Sequence, residues 1–492
     1  MLLNFTGKPF YFFLSLLLLS AGILLHSGEI DFAIVSFINR LLSLNLTENY
    51  WAIGLGYAST LLICSGLFFL SFFFYRSGKL NGQQFLTSGI LILIFHYFYY
   101  LAKNSFNYPV YDDQGIVLEF LNRYSNATTV GDKLKLIAAP FWESRVAIPR
   151  LFILVVWKIF HQINFQYLVW FDGLLLICFH FLLLKSFMKE ETNRFYYSLS
   201  LCLLVFQFQA FNSIFSAVSG LCYYGVLLFA LLSFMLLQRK ERLKKKLALF
   251  FAILAVLTFG NGIWIFPIAI FYLQNQKRLP EMISWSVTFL IILLINFFDR
   301  KSFDVWSGTS FNPLNMLLFI PSMLGSAFQF FYTIHIPFLM GLFVFSVFVI
   351  AILKKWHRSS SVIFMMLFFL VLSVIGSAPF RSGIKPHGEY ALQVRYGIFS
   401  IYAIVLALAL VMEHTQHSKP KRYAWFIAFA FVYNLLTGIF FYPEVPIRKI
   451  QVSGVLKEMK MGKFSPVCSV YRQHEFEELM RTSISKGIYR PD

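Results

Sequence analysis

Apolar stretches of about 20 residues recur along nearly the whole chain, and about 20 residues is the length that a helix needs to cross a bilayer. Hydrophobic residues make up 58% of the 492-residue sequence, and charged residues only 13%. Soluble chains carry about twice that share of charged residues. The sequence therefore predicts an all-α polytopic membrane protein. It excludes a secreted disulfide scaffold, a cytosolic enzyme and a disordered tail protein.

The apolar runs predict about eleven full membrane spans. The first run follows Lys8 and is interpreted as a span rather than a signal peptide, because no small-residue cleavage site follows it. The expected organisation is one transmembrane domain, 1–442, and a small external tail, 443–492. The spans fall at about 10–25, 51–75, 86–102, 164–184, 195–211, 219–237, 281–298, 337–353, 359–379, 396–412 and 424–442.

The segment 247–274 allows two interpretations, because basic loops flank it on both sides and Gly260-Asn261-Gly262 interrupts it. It is either one long helix, which reverses every later loop, or a short hairpin whose arms of about 12 residues each reach ~18 Å. We favour the hairpin because it keeps the later basic loops on one side of the membrane. That choice leaves one large external loop, 103–163.

Basic residues are concentrated in the short loops of one side, which hold twenty of the 42 lysines and arginines. The positive-inside rule places these loops in the cytoplasm, with the N-terminus cytoplasmic and the C-terminal tail external. The net charge of +19 suits anionic lipid head groups and lipid phosphates rather than nucleic acid. The five cysteines show no CxxC spacing, so neither a disulfide framework nor a zinc site is predicted.

Two segments are predicted to lie in the membrane interface. Segment 145–162 places Arg145, Arg150 and Lys158 in a strongly apolar remainder, which is typical of an interfacial helix. A tilted span is the alternative. The apolar segment 313–331 receives the same interpretation.

Adjacent carboxylates stand in the external loop, at Asp112 and Asp113. Like charges held together raise one pKa, which is one way to make a general base, and carboxylate pairs also suit a hard divalent cation. The alternative is a solvated turn before a helix. Further along the loop, Glu143 is a candidate helper carboxylate, and Arg145 and Arg150 are candidate phosphate clamps or residues that snorkel from an interfacial helix.

A second charged external segment, 380–395, contains Arg381, Lys385, His387 and Arg395. Arg395 opens a hydrophobic helix, where an unpaired charge costs ~2.5–3.5 kcal/mol at the membrane centre. Arg395 is therefore expected to face a polar cavity or an anion, with snorkelling to the head groups as the alternative. These four residues are candidate phosphate ligands.

One carboxylate, Asp172, falls inside a predicted span, 164–184. An intramembrane ionisable group is a functional candidate by default, although it could equally pair with a structural arginine. Such groups are otherwise scarce in the spans. That scarcity argues against a transporter, which needs polar groups across the membrane.

Four short motifs resemble the bacterial membrane proteins similar to glycosyltransferases of the GT-C superfamily. Tyr111-Asp112-Asp113 resembles the acidic pair of the first external loop of that group. Segment 142–151 resembles an N-E-H-R-x-x-x-P-R-L pattern, with Trp142 and Ser144 in place of Asn and His. Segment 393–396 resembles A-S-R-Y, and segment 260–262 resembles A-N-G.

The resemblance implies transfer of a sugar from a polyprenyl-phosphate-linked donor to a glycan, lipid or protein acceptor at the outer face of the bacterial inner membrane. It implies that Asp112 or Asp113 is the base and Glu143 its helper. The implied phosphate ligands are Arg145, Arg150, Arg381 and Arg395. A divalent cation, Mg²⁺ or Mn²⁺, held by Asp112 and Asp113 is left open.

Two other functions compete with sugar transfer. A polysaccharide polymerase or ligase would depend on paired external arginines such as Arg381 and Arg395, and the loss of Asp112 and Asp113 would then matter little. A flippase or transporter of lipid-linked glycans would not be an enzyme. The sugar, the acceptor and the oligomeric state cannot be predicted from the sequence.

Overall fold

A computed structural model describes residues 8–26, 48–142, 144–186, 191–298, 312–330, 333–414 and 420–491. The structure is 81% helical and confirms the all-α class. The strands in the described part of the chain are β1 (Pro140–Phe141) and β2 (Ser144–Arg145), which pair antiparallel with Phe141 opposite Ser144.

Twenty α-helices occur in the described ranges. They are α1 (Lys8–His26), α2 (Glu48–Arg76), α3 (Gly82–Asn104), α4 (Phe120–Asn126), α5 (Val130–Ala138), α6 (Ala147–Phe160), α7 (Phe165–Ser186), α8 (Glu191–Val205), α9 (Phe211–Ile214), α10 (Ala217–Leu237), α11 (Arg242–Thr258), α12 (Ile265–Asn275), α13 (Leu279–Phe298), α14 (Pro313–Leu324), α15 (His335–Leu353), α16 (Ser361–Arg381), α17 (Gly397–His414), α18 (Pro420–Phe440), α19 (Glu444–Lys460) and α20 (Gln473–Ser485).

Shorter helical turns join these elements. A π-helical stretch, Gln114–Glu119, precedes α4, and 3₁₀ turns occupy Gly260–Trp264, Ser326–Phe328, Trp356–Arg358, Pro386–Leu392 and Val394–Tyr396.

Seven described helices are long and apolar enough to cross a membrane, so the protein is a multi-pass membrane protein. Three more apolar helices, Tyr11–Ile23, Leu279–Ile295 and Pro313–Leu324, are shorter. The predicted count of about eleven spans is therefore not confirmed. The seven candidate spans are Ile53–Arg76, Phe165–Ser186, Ala217–Leu237, His335–Leu353, Ser361–Arg381, Val394–His414 and Trp425–Lys460.

The chain divides into two compact units, each assembled from separate segments. Unit 1 contains 1–104, 188–211 and 417–449, and unit 2 contains 105–187, 212–416 and 450–492.

Unit 1 buries a cluster of aromatic and amide side chains between its helices. The Tyr57 hydroxyl donates to Asn434 Oδ1 at 3.1 Å, and the Asn434 amide donates to the Leu203 carbonyl at 2.6 Å. The Tyr433 hydroxyl donates to Gln209 Oε1 at 2.6 Å. Hydrogen bonds of this kind hold membrane helices together where water cannot compete.

In unit 2, the ends of helices α10, α16 and α17 lie together in two groups. At one end, Gln238 after α10 donates to Ser361 at the start of α16 at 2.5 Å, and Ser359 contacts His414 at the end of α17 at 2.7 Å. The basic loops 238–246 and 354–358 lie at this end. At the other end, α10 and α17 begin and α16 terminates at Arg381.

Helices α11 and α12 fold back on one another, as the hairpin prediction required. Near the start of α11, Lys245 Nζ lies 2.5 Å from Glu281 Oε1. After the end of α12, Arg278 Nη2 lies 3.5 Å from the same oxygen. The turn is tight at Gly262, where an added Cβ would lie 2.3 Å from the Ala255 carbonyl carbon. The first arm, α11, has 17 residues and is longer than the predicted 12, because the basic segment 242–246 is helical as well, whereas the second arm, α12, has 11.

The segment 145–162 forms a helix, α6, that is too short to span a membrane. Its 14 residues reach ~21 Å. The helix buries Ile153 and Leu154 on one side and exposes Val155 and Ile159 on the other. The segment 313–331 contains a still shorter helix, α14, of 12 residues.

The external tail predicted at 443–492 is largely helical, and its part after 463 binds the segment 107–126. The Tyr111 amide donates to the Cys468 carbonyl at 2.7 Å, and the Gln114 side chain accepts from Ser469 at 2.8 Å. The Tyr489 hydroxyl donates to the Asn107 carbonyl at 2.8 Å. We call residues 464–490 the C-terminal strap.

Candidate functional site

A cavity of about 230 Å³ opens in unit 2, at the end of α10, α16 and α17 that is opposite the basic loops. Its described ionisable lining residues include two cations, Arg381 and Arg395, and one carboxylate, Asp112. Hydroxyl groups and aromatic rings supply much of the remaining wall. These residues are Ser144, Ser219, Tyr223, Tyr390, Phe141, Trp142 and Phe259.

The two adjacent aspartates point to different surroundings. Tyr111, just before them, has a φ of 48°, a left-handed conformation that is uncommon for a bulky residue. Asp112 is half-buried and lines the cavity, whereas Asp113 is 1% exposed. The π-helical stretch Gln114–Glu119 follows directly, and π-helical turns often occur at functional sites. The turn therefore separates an accessible carboxylate from a buried one.

Asp113 caps the N-terminus of α10. Its Oδ1 accepts from the Val218 amide at 2.8 Å and from the Ser216 hydroxyl at 3.0 Å, and its Oδ2 accepts from the Ala217 amide at 3.3 Å. Oδ2 also accepts from the Val110 amide at 3.2 Å. Burial raises the pKa of Asp113 to about 7, while these hydrogen bonds act in the opposite direction. The carboxylate thus ties the loop that carries Asp112 to the start of α10.

Arg381 and Arg395 meet at one aromatic ring. Their guanidinium carbons lie 5.1 Å and 5.2 Å from the ring centroid of Tyr396. Arg395 Nη2 donates to the Tyr390 hydroxyl at 2.7 Å, and Arg381 Nη1 donates to the Tyr396 hydroxyl. The buried Arg395 Nε has no hydrogen-bond partner among the described residues. Two forked cations are therefore held at the cavity.

Arg145 and Arg150 lie outside the cavity lining and cap the C-terminus of α5. Arg145 Nη1 donates to the Ala138 carbonyl at 2.8 Å. Arg150 Nη1 donates to the carbonyls of Leu136 at 2.9 Å and Ala139 at 2.5 Å. Arg150 is 6% exposed, and burial lowers its pKa to about 10. Both side chains satisfy carbonyls that a helix end leaves unpaired.

The remaining predicted site residues are Lys385, His387 and Glu143. Lys385 is exposed on the loop before the 3₁₀ turn Pro386–Leu392. The side chain of His387 and the whole of Glu143 lie outside the described residues.

Asp172 lies within α7 and is 1% exposed. Neither of its carboxylate oxygens has a hydrogen-bond partner among the described residues. It packs against α10, since a Cβ added to Gly220 would lie 2.2 Å from Asp172 Oδ2.

The described residues do not fit a divalent cation at the aspartate pair. Both oxygens of Asp113 already accept hydrogen bonds, so this carboxylate has little capacity left for a metal. Across the described ranges, no group of three or more His, Cys, Asp or Glu side chains could hold a metal ion.

Sequence reasoning missed the aromatic partners of the arginines and the contribution of the C-terminal strap. Tyr390 and Tyr396 stand beside Arg395 in the sequence, but only the fold brings Arg381 to the same ring. Val470 from the strap also lines the cavity. The signal available for the strap was its amphipathic segment around Phe476, whose side chain is fully buried.

No protein-family model matches this chain, and no curated protein matches its sequence. The resemblance to GT-C glycosyltransferases therefore stays a prediction from four short motifs. The cavity residues themselves carry the functional proposal.

Proposed function

We propose that the protein is a membrane glycosyltransferase of the GT-C type. It transfers a sugar from a polyprenyl-phosphate-linked donor to a glycan, lipid or protein acceptor. The observation that carries this proposal is that one cavity unites Asp112 with Arg381 and Arg395. These residues come from two distant segments of the chain, and they combine a candidate base with candidate phosphate ligands.

The position of the cavity supports a reaction at the outer face of the bacterial inner membrane. In unit 2 it lies at the end of the helices opposite the basic loops 238–246 and 354–358. The positive-inside rule assigns those loops to the cytoplasm. Nucleotide-activated sugars stay in the cytoplasm, so a donor on the outer side is lipid-linked.

In this mechanism Asp112 takes the proton from an acceptor hydroxyl. The acceptor oxygen then forms a bond to the anomeric carbon as the bond from that carbon to the phosphate oxygen breaks. A base in this position accelerates the step by about 10²–10⁴-fold. Asp112 suits the role better than Asp113, because Asp113 is committed to the α10 cap.

Arg381 and Arg395 stabilise the polyprenyl phosphate as it departs. Charge-assisted hydrogen bonds from guanidinium groups to phosphate are short and strong. Both guanidinium groups belong to residues that line the cavity, so they are placed to provide such donors. Stabilisation of charge that develops on the leaving group is usually the largest electrostatic contribution to catalysis.

Purified full-length protein in detergent, supplied with polyprenyl-phosphate hexoses, tests the proposal. Asp112→Asn is expected to fold normally and to lower the transfer rate by about 10²–10⁴-fold. Asp132→Asn is the matched control, because Asp132 is an exposed aspartate of the same loop outside the cavity lining. Loss of transfer in both variants, or in neither, would contradict a base at Asp112.

The arginine pair also suits a polysaccharide polymerase or ligase, since Arg381 and Arg395 share the Tyr396 ring. That enzyme would tolerate Asp112→Asn and lose activity when either arginine is changed. The glycan that disappears when the gene is deleted would identify the acceptor under either proposal. A wild-type protein that transfers no sugar from any donor would favour a transporter.

A further inference from the structure

Trp142 occupies an unusual position at the cavity. Its side chain lines the cavity and is still 58% exposed. Tryptophan is usually well buried in proteins, because its large ring gains more than most side chains from leaving water. An indole that is half in a cavity and half in the open is available to a ligand.

The backbone at Trp142 is strained. Its φ of 50° lies in the left-handed region, which costs a bulky residue of order 1–3 kcal/mol and tends to occur at ligand sites.

The strand pair β1–β2 fixes this conformation from both sides. Phe141 pairs with Ser144 and Pro140 with Arg145. Phe141 also packs on the π-helical stretch that follows Asp113, since a Cβ added to Gly115 would lie 2.6 Å from the Phe141 ring. Arg145 anchors the other strand through its hydrogen bond to Ala138. The β1–β2 strand pair thus holds Trp142 in place relative to the loop that carries Asp112.

The chemistry of the cavity rim suits a sugar ring. One face of a pyranose presents C–H groups, which pack against the electron-rich face of an indole. Hydroxyl and carboxylate groups of Ser144, Ser219 and Asp112 lie in the same cavity and can bind the sugar hydroxyls. Sites of this composition, apolar and aromatic with a few polar groups, are typical of small-ligand binding.

The size of the cavity places a longer ligand at the rim. Its volume of about 230 Å³ is below the roughly 300–1,000 Å³ of sites for drug-sized ligands. A ligand longer than one sugar residue therefore extends out of the cavity, and the exposed lining residues that it can contact there are Trp142 and Val470. The donor sugar enters with its phosphate at the arginines, so the extended ligand at the rim is the acceptor.

We propose that Trp142 is the acceptor-binding platform and that the acceptor is a glycan chain rather than a peptide or a lipid. The proposal rests on the glycosyltransferase function proposed above. The other chemistry available to an exposed tryptophan in a membrane protein is anchoring at the head groups. We favour the glycan because Trp142 shares the cavity with Asp112, the proposed base.

Binding of immobilised short oligosaccharides of hexoses and N-acetylhexosamines tests the proposal without any transfer. The full-length protein in detergent is compared with Trp142→Leu, Trp142→Phe and the control Trp425→Leu, since Trp425 is 78% exposed and belongs to unit 1. We expect affinity to fall about tenfold in Trp142→Leu and less in Trp142→Phe. Trp425→Leu is expected to bind as the wild type does.

Transfer kinetics separate this inference from the proposed function. Trp142→Leu should raise the KM for a glycan acceptor about tenfold and leave the KM for the donor unchanged. If glycan binding depends on Trp142 but no sugar is transferred, the proposed glycosyltransferase function is wrong and the binding role of Trp142 is confirmed. If Trp142→Leu transfers sugar to a peptide or lipid with an unchanged KM, the binding role of Trp142 is wrong and the glycosyltransferase function is confirmed.

Three further results would overturn the platform. They are wild-type affinity in Trp142→Leu, a wild-type protein that binds none of the oligosaccharides, and quenching of Trp142 by lipid. The last is measured in vesicles that contain brominated phosphatidylcholine, as the fluorescence difference between the wild type and Trp142→Phe. If the brominated lipid quenches the fluorescence that Trp142 contributes, Trp142 is a membrane anchor. If it does not, the Trp142 ring lies at the cavity and not in the lipid.

Discussion

Unit 1 and unit 2 both place polar groups among membrane helices, but the two regions use them differently. In unit 1 the hydroxyls of Tyr57 and Tyr433 and the amide of Asn434 are matched by acceptors from neighbouring segments. At the unit 2 cavity, Asp112, Arg381 and Arg395 line a space of about 230 Å³. Polar groups that pair between helices stabilise helix packing, whereas polar groups that line a cavity can contact a ligand.

A similar division exists within unit 2. Asp113, Arg145 and Arg150 satisfy helix ends, while Asp112, Arg381 and Arg395 reach the cavity. Charge alone therefore does not identify a site residue.

The largest effect is expected at Arg395. Arg395→Ala should lower sugar transfer on the order of 10²-fold or more, because in the proposed function this guanidinium stabilises the leaving phosphate. Arg395→Lys should lower transfer about tenfold, since lysine keeps the charge and loses the planar fork. Transfer rates in detergent measure both, with Lys385→Ala as the exposed control from the same segment. A fully active lysine variant would show that Arg395 has a structural role, like the paired polar groups of unit 1.

A smaller and different effect is expected at Asp113. Asp113→Asn should destabilise the protein by about 1–2 kcal/mol, because an amide replaces one of two acceptor oxygens at the α10 cap. Thermal unfolding in detergent should show a lower transition temperature for Asp113→Asn. The transition temperature of Asp112→Asn should be almost unchanged. The opposite pattern, a stable Asp113→Asn with no transfer, would show that the buried aspartate is the base.

The smallest effect is expected in unit 1. Tyr433→Phe removes only the hydrogen bond to Gln209, and bonds of this kind between membrane helices contribute about 0.6 kcal/mol on average. The KM and the rate of transfer should not change. A large loss of transfer in Tyr433→Phe would end the contrast between the two regions, because unit 1 would then contain functional groups as well.

The helical class and the fold-back at Gly262 could be predicted because apolar length and basic loops are local features of the sequence. The same holds for the choice of Asp112, Arg381 and Arg395 as candidates, since charges near predicted helix ends stand out. That these three share a cavity is visible only in the fold.

The capping roles were beyond sequence reasoning. Asp113 could be recognised as a cap only once the start of α10, about a hundred residues later, was known to lie beside it. Arg150 likewise resembles a phosphate ligand until the end of α5 is seen against it. Which carbonyls and amides lie unpaired nearby is a property of tertiary structure.

The loop that carries Asp112 is synthesised long before the C-terminal strap that binds it. Gln114 and its partner Ser469 are 355 positions apart in the chain. Ribosomes add about 5–20 residues each second, so the loop waits roughly 20–70 s for its partner to be made. The loop that carries Asp112 therefore stands without its strap through most of membrane insertion. The cavity wall that includes Val470 closes only after synthesis is nearly complete, and a nascent chain with its membrane helices already in place has not yet formed the complete site.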